Sequence, residues 1–214
     1  MQLISVNIGE ERPLKNGKRT GTSAIFKEPT TEPVAIGALG LAGDVIIDTE
    51  NHGGVDQAVY VFGRPDYDWW EGHIGRTLPN GIFGENLTVS GLESATYSIG
   101  DRLQVGAVLL EVTAPRIPCA SLAARLEDPQ FVKKFRFAER PGLYCRVLET
   151  GTVTVGDPVT YLPLSADGIT IIESFRFFYE HDDMDEAVIR RYLAAPIDIR
   201  SRHWFEDELA KRMA

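Results

Sequence analysis

The sequence predicts a mainly β, mixed α+β fold: a β-barrel with a few short helices over residues 1–164, then a small three-helix unit over residues 165–214. Three observations predict it. Short β-rich runs fill the first part of the chain, and Gly or Pro separates nearly all of them. A Gly-Asp pair recurs at Gly43-Asp44, Gly100-Asp101 and Gly156-Asp157, as turns of a meander do. After Leu164 the apolar spacing changes to that of helices.

Each element has its own reason. Ile4, Val6 and Ile8 alternate with Leu3, Ser5 and Asn7, which predicts a strand with its apolar set on one face. Val34–Ile36 is a short β-rich piece, and Ala58–Phe62 is a fully apolar run with β-branched and aromatic members. Further strands are expected at Leu87–Val89, Thr96–Ile99, Arg102–Val105, Ala107–Thr113, Leu143–Leu148 and Val153–Leu162. Two helices interrupt them. Pro65–Ile74 opens with Pro and acids, as helix N-termini do. Cys119–Glu127 follows Pro118, with Leu122 and Leu126 one turn apart. In the tail, Thr170 and Glu173 form a capping box ahead of Ile172, Phe175 and Tyr179. Asp182-Asp183 precedes a second helix carrying Val188, Ile189 and Leu193, and Asp198 caps a third carrying Trp204, Phe205 and Leu209. Aromatic residues at helical spacing are core in most proteins, so the tail is expected to pack or dock, with the chemistry elsewhere.

Composition narrows the function. The chain has 214 residues and a net charge of −9, which argues against a nucleic-acid polymer as partner, because phosphate neutralisation needs a basic face. Two cysteines, Cys119 and Cys145, are too few for a secreted disulfide framework. The N-terminal residues lack a basic start with an apolar run, and no stretch approaches the roughly 18 apolar residues of a membrane span. The expected compartment is the cytoplasm, with free thiols and no membrane partner.

Four segments carry possible chemistry. In Val112–Leu122 a strand runs into Pro115 and Pro118, and Cys119 falls at a helix start. That position and Arg116, three residues upstream, both favour thiolate, suited to nucleophilic attack or to a soft metal. Cys145 shares a strand face with Leu143 and Val147 and reads as core. In Asn51–Ala58, Gly53 and Gly54 can turn backbone N–H groups toward an anion, and His52 can donate a proton. No second His lies at metal-ligand spacing, so no zinc signature exists. In Asn80–Leu87, Glu85 and Asn86 either orient a polar ligand or close the loop. Gly17–Lys27 is a basic patch mixing hydroxyls, glycines and cations, without the spacing of a nucleotide-triphosphate loop.

Taken in order, the basic turn, Leu41-Ala42-Gly43-Asp44, His52-Gly53-Gly54-Val55-Asp56, Phe83-Gly84-Glu85-Asn86-Leu87, Ile99-Gly100-Asp101 and Pro115-Arg116-Ile117-Pro118-Cys119 resemble the MOSC-domain family, in particular its YiiM-like branch. The resemblance runs over nearly the whole chain, the three-helix tail included. It implies a MOSC-type β-barrel with a cleft for the molybdenum cofactor, a pterin with a dithiolene and a terminal phosphate; phosphate or sulfate would stand in its place in a cofactor-free crystal. It implies that Cys119 is the molybdenum ligand or a persulfide carrier, and that Cys119 and His52 are catalytic. Cofactor contacts are implied at Lys18, Thr22, Lys27, His52, Gly53, Gly54, Asp56, Phe83, Glu85, Asn86 and Arg116. One departure stands out: the position after Asp56, usually Lys or Arg in the family, is Gln57 here.

The implied activity is reduction of N-hydroxylated compounds, such as hydroxylaminopurines, to amines. Two cysteines cannot hold a four-cysteine iron–sulfur cluster, so an external electron-donor reductase is expected. Two other readings compete: a persulfide sulfur transferase acting through Cys119, and a non-catalytic carrier of the cofactor. The expected assembly is a monomer or homodimer.

Overall fold

The computed structural model describes residues 1–16, 19–47, 52–165, 167–181 and 184–213. It opens with strand β1 (Leu3–Gly9). Val6 of β1 enters the core as expected, but Ser5 and Asn7 are buried too. Asn7 accepts from Ser5 Oγ at 2.6 Å and donates to Thr88 Oγ1 at 3.2 Å, so the polar face of the strand is satisfied inside the protein. The basic patch runs through the antiparallel pair of β2 (Arg12–Asn16) and β3 (Arg19–Ser23) to the start of β4 (Lys27–Thr30). Lys18 lies outside the described residues.

Next come β5 (Val34–Gly37), the two-residue β6 (Gly40–Leu41), a 3-10 turn at Val55–Gln57 and β7 (Val59–Gly63). Helix α1 (Arg64–Ile74) starts with Pro65 in its first turn and ends at Gly75, whose φ of 76° is the left-handed helix stop that suits glycine. Then follow β8 (Leu87–Val89), β9 (Arg102–Val105) and β10 (Val108–Pro115). The strand expected at Thr96–Ile99 is instead a 3-10 turn, Ser94–Thr96, and a single bridge from Ser98 to Thr170. β-Rich residues there serve a corner, held by Asp66 accepting from the amide and hydroxyl of Ser94.

Helix α2 (Ala120–Arg125) starts where Pro118 and Cys119 predict it. Helix α3 (Phe131–Ala138) has no counterpart among the sequence expectations. Phe131 and Phe135, one turn apart, are the two residues it buries. Strands β11 (Leu143–Glu149), β12 (Gly151–Val153) and β13 (Val159–Leu162) complete the sheets. The single strand expected over Val153–Leu162 is split by a turn in which Gly156 has φ 97° and Asp157 accepts from the Thr154 amide.

Eight strands form one sheet in the order β13-β9-β10-β11-β7-β8-β1-β4. Its β1 and β13 regions come together: the Leu3 amide donates to the Asp157 carbonyl, Val159 donates to Met1, and Gln2 bridges Pro158. These bonds join β13 to β1 and so curl the sheet toward a barrel, with β4 left as its terminal strand. β7 and β8 pair in parallel, with α1 as their crossover.

The Gly-Asp turns are structural, as read. Asp101 is buried and accepts from the amides of Ser98 and Leu164 and from the Tyr161 hydroxyl. The tail contains α4 (Ile171–Tyr179), α5 (Glu186–Ala194) and α6 (Ile199–Met213). Thr170 Oγ1 accepts from the Glu173 amide at 3.0 Å, and Asp198 accepts from the amides of Arg200 and Ser201. Asp182 and Asp183 lie outside the described residues, and Asp185 caps α5. One apolar core runs from Leu3, Val61 and Val112 of the barrel to Ile171, Ile189 and Phe205 of the tail. A second, aromatic cluster joins Phe62, Tyr67, Trp70 and Phe83 to Phe131 and Phe135.

Candidate functional site

Cys119 sits between the end of β10 and the start of α2, partly exposed, with the extended backbone of a helix N-cap. The amides of Leu122 and Ala123 donate to its carbonyl oxygen. Burial alone would raise this thiol, but a hydrogen bond with His52 and the positive charge of Arg116 outweigh it and bring the thiol down to about 6. Neutral water therefore finds mostly thiolate. Cys145 behaves in the opposite way: it is fully buried, and burial pushes its thiol far up.

Arg116 is buried at 4% exposure. Its guanidinium donates to the Phe83 carbonyl and lies 5.0 Å from the centre of the Tyr60 ring. His52 Nδ1 lies 3.4 Å from the Tyr144 hydroxyl. Cys119, His52 and Tyr144 line a cleft of about 700 Å³ together with Gln57, Thr113 and Pro118. The opposite wall comes from the tail: Phe177, Phe178 and His181, then Tyr192, then Arg200, Trp204 and Phe205. Thus the tail does more than pack. A separate cavity of about 870 Å³ between α1 and α3, lined by Trp69, Trp70, His73 and Phe137, holds none of the sequence-derived site residues.

The remaining expected residues divide by place. Lys27, Phe83, Glu85 and Asn86 are buried and do not line the cleft. Lys27 forms an ion pair with Asp44, though burial lowers its affinity for a proton. Asp44 also accepts from Asn86 Nδ2 at 2.9 Å and from the Gly9 amide at 2.8 Å. Glu85 Oε1 accepts from Tyr67, Gly81 and Thr88, while burial raises the pKa of its carboxyl group. These bonds fix the loop that delivers the Phe83 carbonyl to Arg116. Asp56 accepts from the Ile199 amide at 2.8 Å and pairs with Arg146 Nε at 3.1 Å. Gly53 accepts from Arg200 at 2.9 Å, so the His52 loop is fastened to the start of α6. Gly54 is exposed with φ 93° ahead of the 3-10 turn, and Thr22 is exposed on β3.

This arrangement carries a single thiolate in a cleft. Among the described residues, no group of three or more His, Cys, Asp or Glu could hold a metal ion. A metal bound at Cys119 must therefore bring most of its ligands with it, which is what a dithiolene cofactor does.

The MOSC domain model matches residues 48–160, over half of the chain and including His52 and Cys119. The chain belongs to the MOSC-domain family. It is 35% identical over 193 residues to the uncharacterized protein YflK of Bacillus subtilis (strain 168), covering 90% of this chain and 86% of that protein. It is 34% identical over 167 residues to a protein named Reductase from Gibberella moniliformis, covering 75% of this chain but only 29% of that longer one. The crystal structure of YiiM from Geobacillus stearothermophilus superposes with a TM-score of 0.78 at 28% identity, covering 97% of this chain and 98% of that one. The match to YiiM extends through the MOSC barrel and the tail helices alike. Among the described residues, no helix is long and apolar enough to cross a membrane.

Sequence reasoning missed Tyr144, Thr113 and every tail residue of the cleft. Their spacing is that of ordinary core residues, and no local signal separates the two roles.

Proposed function

We propose that this MOSC protein binds the molybdenum cofactor and reduces N-hydroxylated compounds to amines, with electrons from an external reductase. The observation that carries the reading is the Cys119 thiolate, held between His52 and Arg116 at the wall of the cleft. The name of the Gibberella moniliformis relative, Reductase, supports an oxidoreductase.

Cys119 would hold the metal, a soft thiolate suiting a soft ion. His52, Gly53 and Arg200 would face the cofactor's anionic part. When bound, the cofactor supplies a two-electron couple and a Lewis-acidic centre. The hydrogen bond with His52 and the charge of buried Arg116 favour the deprotonated form of Cys119. His52 lines the cleft, where an imidazole can pass a proton to the leaving oxygen of the substrate. The overall change consumes two electrons and two protons, breaks the N–O bond, and releases an amine and water. The aromatic residues of the tail wall narrow the cleft beside the thiolate.

The test is molybdenum and pterin content after purification from a cofactor-producing host, for wild type and Cys119→Ala. Stoichiometric metal in the wild type and none in the variant is the expected result. Absence of metal from both, with one extra sulfur on wild-type Cys119, would replace this reading with persulfide transfer. Bound pterin without turnover of any hydroxylamine, given a competent reductant, would make the protein a carrier.

A further inference from the structure

The groove of about 870 Å³ between α1 and α3 shares no lining residue with the Cys119 cleft and takes no part in the chemistry above. Its floor is aromatic, with Trp70 of α1 meeting Phe131 of α3 at 4.9 Å between ring centres. On the α1 side the His73 ring stacks on Trp69 at 3.6 Å, and the Arg140 guanidinium lies 5.1 Å from the centre of the same indole, so this rim is held in place. On the α3 side Lys133 and Phe137 stand four residues apart and share a helix face. Phe137 is 69% exposed. Arg76 and Lys133 both line the groove, and among the described residues neither side chain has an ion-pair partner. Asp128, the carboxylate of the lining, is already bonded to Lys134 at 2.7 Å. The groove is therefore locally basic in a chain whose net charge is −9.

We propose that this groove docks an acidic segment of a partner protein, with an aromatic or aliphatic side chain of the segment seated on the aromatic floor and its carboxylates beside Arg76 and Lys133. An apolar floor with a wet phenylalanine at its rim gains from losing water on docking. Aromatic rings and arginine are the residues that protein interfaces favour at their centres. The sign of the rim sets the choice of partner: carboxylates meet two unpaired cations, whereas a basic segment meets repulsion. A second copy of this chain, paired about a two-fold axis through the groove, would set Arg76 and Lys133 against their own images. Helix α2 leads from the groove to the thiolate. Leu126 lines the groove at one end of that helix, and Cys119 is the N-cap at the other, about 10 Å away along the helix axis. The partner thus docks one short helix from Cys119, through residues that the cleft does not use.

The experiment titrates the protein into a fluorescently labelled random copolymer of glutamate and tyrosine at low ionic strength and reads anisotropy. Polyglutamate of equal length is the probe without an apolar side chain. The chain as a whole repels a polyanion, so binding reports a local basic site. The copolymer should bind, and polyglutamate should bind more weakly. Arg76→Glu and Lys133→Glu should each weaken the copolymer about three- to tenfold. Lys15→Glu, the same change of charge on β2, should leave its affinity unaltered. Phe137→Ser should weaken the copolymer and spare polyglutamate. All four positions are exposed, and circular dichroism checks that each variant folds. No binding of the copolymer by wild-type protein, equal affinity for the two polymers, an equal loss in Lys15→Glu, or no effect of Phe137→Ser would each overturn the proposal. A wild-type dimer in sedimentation that Phe137→Ser dissociates would overturn it too, because a second copy would then fill the groove.

Discussion

Cys119 shows how one side chain acquires a property from neighbours distant in sequence. A thiol buried to this degree resists ionisation, and His52 and Arg116, helped by the Leu122 backbone N–H, reverse the balance. Arg116 is itself placed by the Phe83 carbonyl, and Phe83 by the loop that Glu85 anchors. The buried loop residues therefore bear on the thiolate without lining the cleft. The direction of the shift sets a pH dependence. Thiolate predominates above about 6, so alkylation of Cys119 by iodoacetamide should be fast at neutral pH and fall away below that midpoint. In His52→Ala the hydrogen bond is gone, and the midpoint should move up toward that of an ordinary thiol. An unchanged midpoint, read from alkylation rate against pH by mass spectrometry, would remove His52 from this role.

At the scale of elements, the 3-10 turn Val55–Gln57 and the start of α6 act as one clasp. Asp56 offers one carboxylate oxygen to the Ile199 amide and the other to Arg146. The Asp56 carbonyl in turn accepts from Thr113 Oγ1 at 2.6 Å, which ties the turn to β10. Arg200 closes the clasp on Gly53. Asp56→Ala deletes the acceptor for the Ile199 amide and one ion-pair partner of Arg146, a loss of about 1–3 kcal/mol. We expect faster amide hydrogen exchange in the first turn of α6, with exchange in the barrel strands unaltered. Unaltered exchange at Ile199 to Arg202 would show that Asp56 does not hold the helix. The junction of β7 and α1 is as tightly specified: a Cβ on Gly63 would lie 1.6 Å from the Leu92 carbonyl oxygen, so only glycine fits between them.

The whole molecule joins barrel and tail through one core. Ile171, Phe175, Ile189, Tyr192, Ile197 and Phe205 are each at most 3% exposed, and five of them belong to the cluster that holds Leu3, Val112 and Cys145. Removing the tail would strip that face and open the cleft. Burial shared in this way makes unfolding cooperative. We therefore expect a single transition in guanidinium, coincident by far-ultraviolet circular dichroism, which follows the helices, and by near-ultraviolet signal, which follows the aromatic core. Two separated transitions would show that the tail folds as an independent unit.

The amino-acid sequence by itself determined whatever depends on neighbours a few residues apart. Alternation placed β1, and β-rich apolar runs with punctuation placed β7, β10 and β11; proline and capping residues placed α1, α2, α4 and α6; Gly-Asp pairs placed the turns. The same local logic put Cys119 at a helix start with Arg116 close by. Residues 131–138 drew no expectation, because two phenylalanines one turn apart in so short a run give no cap or long periodic stretch to mark a helix. Tertiary structure alone decided which groups meet across long separations. Asp56 and Ile199 stand 143 residues apart, and Tyr144 and His52 stand 92 apart. It also turned Ser5 and Asn7 inward, assigned Glu85 and Asn86 to the loop's support, and made the tail a wall of the cleft. Hydrogen-bond partners and cavity walls are set by how elements pack, and packing leaves no periodic trace in the residues that share it.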